Sequence, residues 1–207
     1  MTTRKQVVIG LYLFQEEAME IVTKELEPSL WGDFEELFGE NGACGGCWCM
    51  SWRIDKGEKW ATVKGAEAKK RMKKLVSSGK AHGILAYHGG RPVGWCSFDR
   101  RSDYLKLDRA PSLKCDDADE VWSIPCFFVK AGYRGQGVGS ALLDGALKAL
   151  KKRGAKIVEG YPVKSYSYGK EIPAAFAWTG TQPMFKKAGF KPVGNRNGAK
   201  QRMRKEL

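Results

Sequence analysis

Apolar and polar positions change rhythm several times along the chain, and each change marks an element. Residues 6–14 alternate weakly and predict a first strand. Ala18, Ile21, Val22 and Leu26 then recur at helical spacing, which predicts an amphipathic helix over 15–27 ahead of Pro28. "SLWGDFEELFGENG" (29–42) predicts a short helix that stops at Asn41-Gly42, so the segment carrying Cys44, Cys47 and Cys49 is expected to be a loop. A basic helix follows over 64–78, with Ala68, Met72, Leu75 and Val76 on one face and Gly79 at its end.

From residue 83 the period shortens. Two apolar runs joined at His88-Gly89-Gly90 predict a hairpin over 83–101. A polar connection, 102–120, leads into a mostly apolar strand of the buried kind, 121–130. A glycine-rich turn then opens a helix within 131–154, with Val138, Ala141, Leu142, Gly145, Ala146 and Ala149 on one face and basic residues at its end. Residues 156–163 predict another strand. A stretch rich in Tyr, Ser and Gly leads to a short helix in "TGTQPMFKKAGF" stopped by Gly189, and strands over 190–195 and 200–206 flank "NRNG". The order predicts an α/β chain without repeats or a dividing linker. Residues 1–60, including the cysteine loop, read as the N-terminal part of one compact domain whose core is 61–207.

Composition changes this picture little. At 207 residues, 43% hydrophobic and 29% charged, the chain is long enough to bury a core and has the balance of a soluble globular protein. No apolar run approaches the roughly 18 residues of a membrane span. The early apolar run ends in Gln15-Glu16-Glu17 with no cleavage site after it, which predicts a cytoplasmic protein. In a reducing compartment six cysteines are free thiols, ligands or pocket residues rather than staples. Cys96, Cys115 and Cys126 stand alone and read as small buried residues. A net charge of +13 attracts polyanions, but it is dispersed over 69–74, 151–154, 186–187 and 200–205, as solvated helix faces would be. No aromatic-interleaved basic motif accompanies it, so nucleic-acid association is the weaker use of that charge.

The chemistry sits in "YRGQGVG" (133–139), between a strand and a helix. Glycines allow close approach of a ligand, the first N–H groups of a helix point outward unpaired, and the helix dipole adds positive potential; together they form a nest for a diphosphate. Arg134 adds charge. The spacing is neither a Walker loop nor a full dinucleotide fingerprint.

"FFVKAGYRGQGVGSALL" resembles the acyl-coenzyme-A-binding signature of the GNAT acyltransferase superfamily, with Arg134, Gly137 and Gly139 in its defining positions. "GCWCMSWR", "GRPVGWCSF", "VWSIPCFFV", "VEGYPV" and "TGTQPMF" together resemble a bacterial subgroup with a Cys-Trp-Cys segment, and "MFKKAGF" is similar to the short helix that closes the cofactor cleft. The resemblance implies a mixed, mostly antiparallel sheet with splayed central strands flanked by helices. It implies acetyl-CoA as co-substrate, no metal, and a primary amine of a small molecule or protein as acceptor, with a homodimer possible. Pantetheine would pair with the backbone around Phe127, Phe128 and Val129. The pyrophosphate would rest on the amides of Arg134, Gly135, Gln136, Gly137, Val138, Gly139 and Ser140.

The amine must lose a proton and the departing sulfur gain one. Glu159 on the fifth main strand and Glu120 before the fourth are candidate bases, and the acids at 116–120 favour a cationic acceptor. Where many relatives of this kind carry an acidic tyrosine this chain has Phe185, which moves the acid's role to Tyr161, Tyr166 or Tyr168, or leaves it unfilled. Ser123 and Cys126 are possible pocket groups, while His82 and His88 read as hairpin polarity. Direct transfer needs only approximation and deprotonation, so no covalent cysteine intermediate is called for. Cys44, Cys47 and Cys49 supply three of the four ligands of a zinc site; the readings are metal, redox pair, or the wall of the acceptor pocket, and the soft, bulky Trp48, Met50 and Trp52 favour the wall. Two rivals from other classes are a coenzyme-A sensor without turnover, motivated by Phe185, and a nucleic-acid-associated basic protein.

Overall fold

The computed structural model of the chain describes residues 19–163, the backbone of 166–167 and 170–171, and residues 176–194 and 200–207. Strands β1 (Val22–Glu25), β2 (His82–His88), β3 (Arg91–Arg100), β4 (Val121–Val129), β5 (Ile157–Gly160), β8 (Lys191–Pro192) and β9 (Met203–Glu206) form a seven-stranded sheet; β6 (Tyr166–Ser167) and β7 (Lys170–Glu171) pair separately. The helices are α1 (Trp31–Phe38), α2 (Trp60–Val63), α3 (Ala66–Ser77), α4 (Val138–Lys152) and α5 (Gln182–Lys187). The strand order is β1-β2-β3-β4-β5-β9-β8, antiparallel except between β4 and β5. A parallel pair needs a long crossover, and α4 supplies it.

Both faces of the sheet are covered. On one side α1, α3 and the cysteine segment bury Phe34, Phe38, Trp48 and Met72 against Leu85 and Trp95; on the other α4 and α5 bury Leu142, Ala146 and Phe185 against Ile84, Ile124 and Phe127. This two-sided burial is why β2, β3 and β4 read as continuous apolar runs without alternation. The β2–β3 turn closes through Gly89 and Gly90 at φ 54° and 76°, a pair of left-handed residues suited to the twist of a tight hairpin.

Two irregularities of β4 position the site. The β4–β5 ladder holds only from Val121↔Ile157 to Ile124↔Gly160; β4 then continues alone through Val129, beginning with Pro125, which has no N–H to offer a neighbour. On its other edge the register jumps from Ser97↔Cys126 to Asp99↔Ser123, so Ile124 and Pro125 stand opposite Phe98 alone. One extra residue resets the pleat, so that Cys126 and Phe128 face the cavity walled by the cysteine segment while Ser123 meets Tyr161. The central strands therefore splay, as the family resemblance implies.

The helix expected over 15–27 is replaced, in its described part, by strand β1. Ile21, Val22 and Thr23 are β-branched and stiff, and the backbone of Val22–Glu25 pairs with Ile84–Tyr87 of β2 at the sheet edge. The strand expected at 6–14 and the "NRNG" turn lie outside the described residues. The expected strand over 156–163 ends at Gly160, and that over 190–195 shortens to Lys191–Pro192. Five arginines are paired internally: Arg53 with Asp99, Arg101 with Asp108, Arg153 with Glu25, and Arg202 and Arg204 with Glu159.

Candidate active site

A cavity of about 750 Å³ begins at the N-terminus of α4, passes the unpaired stretch of β4, and ends on the cysteine segment. Its first part is backbone. Gly137 caps α4 at φ 85° and Gly135 stands at φ 77°, conformations that favour glycine. The first intrahelical bond of α4 runs from Ala141 N–H to Gly137 O at 3.0 Å, which leaves the amides of Val138, Gly139 and Ser140 without an intrahelical acceptor. A Cβ on Gly139 would stand 3.1 Å from Met184 Sδ of α5, so a side chain there enters the gap between the two helices. Every residue proposed for the coenzyme borders this cavity except Gln136, whose side chain turns away to donate to Gly132 O at 2.8 Å.

The β4 edge is less free than expected. Phe127 N–H donates to Trp178 O at 2.7 Å, and Arg134 Nε donates to Val129 O at 3.0 Å. The segment around Trp178 thus takes up one backbone group that the family resemblance assigns to pantetheine. Arg134 braces the end of the strand as well as lining the cavity.

The far part of the cavity is made of side chains: Phe38, Trp52, Trp60 and Trp178 with Cys44, Cys47, Cys49 and Cys126. The cysteine segment is therefore a wall, as its bulky neighbours suggest. Trp52 fixes it to the bulge of β4 by donating from Nε1 to Pro125 O at 3.1 Å. The four thiols differ. Burial pushes Cys47 up to about 11, and Cys126 is pushed well above an ordinary thiol by its hydrogen bond to Cys49 and then by burial. Cys49 goes the other way, to about 7: hydrogen bonding from Cys126 outweighs the cost of burial, helped by Ser97, Trp95 and the positive charge of Arg53. Trp95 Nε1 donates to Cys49 Sγ at 3.2 Å. Among the described residues, no group of three or more His, Cys, Asp or Glu side chains is arranged to hold a metal ion.

The expected proton carriers sit elsewhere. Glu159 is fully buried on β5, where Arg202 Nη2 and Arg204 Nη2 each donate to its Oε1 at 2.7 Å. Tyr161 is equally buried; its hydroxyl is held by Ser123 Oγ at 2.7 Å and Arg101 Nη1 at 2.9 Å, and burial raises its pKa. Glu120 is exposed in a turn before β4, at the end of that strand remote from the splay. None of the three borders the cavity. The acids at 116–120 do not face it either: Asp117 is clamped by Arg204, which holds it down at about 2, beside a separate cavity of about 500 Å³. Phe185 is packed out of reach, edge-on to Phe127 and Phe190. Cβ atoms on Gly160 or Gly180 would strike its ring, at 2.1 and 2.7 Å. Tyr168 and the side chain of Tyr166 lie outside the described residues. His82 bonds Asp99 Oδ1 at 2.5 Å, and His88 contacts Glu20 O at 3.2 Å.

Two contributors escaped the sequence reading. Trp178 gave no signal beyond being a tryptophan in a glycine-flanked loop. Cys49 carried the metal, redox and wall readings together with Cys44 and Cys47; what sets it apart from them comes from Trp95 and Cys126 on other strands, which no local spacing reveals.

Residues 45–162 match the family model described as the acetyltransferase (GNAT) family. No curated protein sequence matches the chain. Among solved structures, the ribosomal-protein-alanine N-acetyltransferase of Brucella melitensis is similar over 90% of this chain and 99% of its own, at 14% identity and a TM-score of 0.52. The GCN5-related N-acetyltransferase of Kribbella flavida is similar over 90% and 98%, at 16% identity and a TM-score of 0.51. A putative acetyltransferase from Salmonella typhimurium, yncA, solved with its cofactor acetyl-CoA, is similar over 90% and 94%, at 12% identity and a TM-score of 0.51. At these identities the likeness bears on the fold.

Proposed function

The chain belongs to the GNAT acetyltransferase family, and from that premise we propose that it transfers an acetyl group from acetyl-CoA to a primary amine. The observation that carries this reading is the continuity of one cavity from the first turn of α4 to the cysteine segment, through the gap where β4 has left β5. The residues present fit the coenzyme. The unpaired amides of Val138, Gly139 and Ser140 receive the diphosphate, with Arg134 adding charge, and the absence of a side chain at Gly139 keeps the path open. Phe128 and Val129 on the lone stretch of β4 guide the pantetheine arm, with Phe127 beneath it in a backbone bond to Trp178. Bound there, the coenzyme supplies an activated thioester.

The acceptor enters from the face of the sheet covered by the cysteine segment. Its chamber is walled by Trp52, Trp60, Trp178 and Phe38, so an amine carried on a flat apolar body fits better than a polycation. Glu159 supports this chemistry from outside the cavity: with Arg202 and Arg204 it ties β5 to β9 beside the splay. Incubating the protein with acetyl-CoA and a broad panel of primary amines tests the reading. Amine-dependent release of coenzyme thiol together with an N-acetyl product supports it; a folded protein that neither binds acetyl-CoA nor transfers from it refutes it.

A further inference from the structure

We propose, resting on the acyl-transfer reading above, that the acceptor amine carries a carboxylate on its flat apolar body, and that Lys200 is the residue that selects for it. The acids at 116–120 suggest the opposite sign in the sequence, but the fold turns them elsewhere: Asp117 is clamped by Arg204 beside a separate cavity. Among the described residues that line the main cavity the only charged one is Arg134, at the α4 end. No carboxylate among them balances the charge of a cationic acceptor.

The charge that does stand near the chamber is positive. Lys200 Nζ lies 5.0 Å from the ring centroid of Trp178 and 6.0 Å from that of Trp52. These two rings, 5.5 Å apart and tilted by 41°, both wall the chamber. An indole face attracts a cation, and here the protein's own ammonium takes that place. The backbone holds it there. Lys200 bridges to Val163, Val163 N–H donates to Gly180 O at 3.1 Å, and Gly180 lines the cavity. On the other flank the backbone N–H of Gln201 donates to Pro162 O at 3.0 Å.

A second cation belongs to the same tryptophan: the backbone N–H of Lys106 donates to Trp52 O at 3.1 Å. Burial, and then the Lys106 charge, work against the half-buried Lys200 ammonium and lower its pKa. A cation set against another cation is relieved by an anion brought beside them. Lys200 does not itself border the cavity, so it acts on the acceptor across the tryptophan pair, through a field that a poorly hydrated wall screens weakly. It determines specificity and touches neither the amine nor the thioester. With the amine at the gap where β4 has left β5, and an aromatic body against Trp52, Trp60 and Trp178, a carboxylate on that body lies within this field. An aromatic amino acid fits such a chamber; a polyamine or a lysine-rich chain does not.

Matched amines that differ only in the carboxylate test this: L-tryptophan against tryptamine, and L-phenylalanine against phenethylamine, each with acetyl-CoA. Wild type is expected to favour the acid of a pair by roughly tenfold or more in kcat/KM, carried by KM. Lys200→Met, which keeps an apolar stem against the rings, raises KM for the acids more than for the plain amines, so that the preference falls toward one; Lys200→Arg keeps it. Comparing variant with wild type cancels the difference in amine basicity within a pair. Were Lys200→Met to unfold, Lys200→Gln gives the same comparison. The proposal is overturned if wild type favours the plain amines, if it binds acetyl-CoA but acetylates neither acid, or if the preference survives Lys200→Met at unchanged Tm. Failure of the wild type to bind acetyl-CoA at all counts against the acyl-transfer reading itself, a different outcome from these.

Discussion

The two ends of the cavity are built from different materials. At the α4 end the contacts are main-chain amides presented by a turn in which Gly135 and Gly137 stand at positive φ. At the cysteine end they are side chains gathered from the 43–60 segment, from β4 and from the Trp178 loop, held on a backbone strained at Trp48 and Cys49. A main-chain site needs only a local run of residues, so it can be written in seven consecutive letters. A side-chain site exists only once distant strands are brought together. On the proposed reading, the first end grips the diphosphate and the second sets which amine is admitted.

That contrast can be broken or sharpened by experiment. The largest expected effect lies at neither end. Glu159 is fully buried between two arginines, and Glu159→Ala leaves the Arg202 guanidinium without a carboxylate partner and Arg204 with Asp117 alone. A loss of about 3–5 kcal/mol is expected, read as a fall in Tm of roughly 10 °C, while acetyl-CoA affinity below the transition stays as it was. A selective loss of turnover with unchanged Tm would instead make Glu159 part of the chemistry.

Next in size is a pH effect confined to the side-chain end. Cys49 is held down at about 7, below an ordinary thiol, chiefly by hydrogen bonding from Cys126, with the Trp95 indole N–H and the charge of Arg53 adding to it, while Cys47 and Cys126 are pushed up around it. The reactive form is the thiolate, so carbamidomethylation of Cys49 by iodoacetamide rises about tenfold per pH unit below 7 and levels off above it. Cys47, up at about 11, is still climbing at pH 9. Peptide mapping of the alkylated protein separates the two, and equal profiles would erase the distinction between them.

The smallest effect belongs to the main-chain end. Gln136 lies within the signature but turns its side chain to Gly132 O. Gln136→Ala changes acetyl-CoA affinity by less than about twofold, since only the main chain of this turn is used; a tenfold loss would show that side chains matter there too.

The same contrast explains what could be read from the sequence. The β2–β3 hairpin, α3, α4 and the glycine-rich turn before α4 were legible because each rests on local signals: a Gly-Gly turn, a 3.6-residue apolar stripe, a glycine cap. The expected helix over 15–27 failed because a few apolar residues at helical spacing were outweighed by β-branched Ile21-Val22-Thr23 and an open edge of β2. Glu159 and Tyr161 were placed on or just after the right strand, but period-two geometry could not show that their polar ends were already claimed by Arg202, Arg204, Ser123 and Arg101. Phe185, in the place where relatives carry a tyrosine, is packed edge-on to Phe127 and Phe190. The bulge opposite Phe98, which turns Cys126 toward Cys49, has no sequence signature of its own.

The account stands on acetyl-CoA occupying the cavity through the first turn of α4. Calorimetric titration of acetyl-CoA into wild type and Gly139→Leu, side by side, tests that most directly, because the leucine fills the gap to Met184 without touching the cysteine end. Wild type is expected to bind, and the variant to bind at least about a hundredfold more weakly, a difference of about 2.7 kcal/mol, at an unchanged Tm. Equal binding by the two proteins would contradict the account.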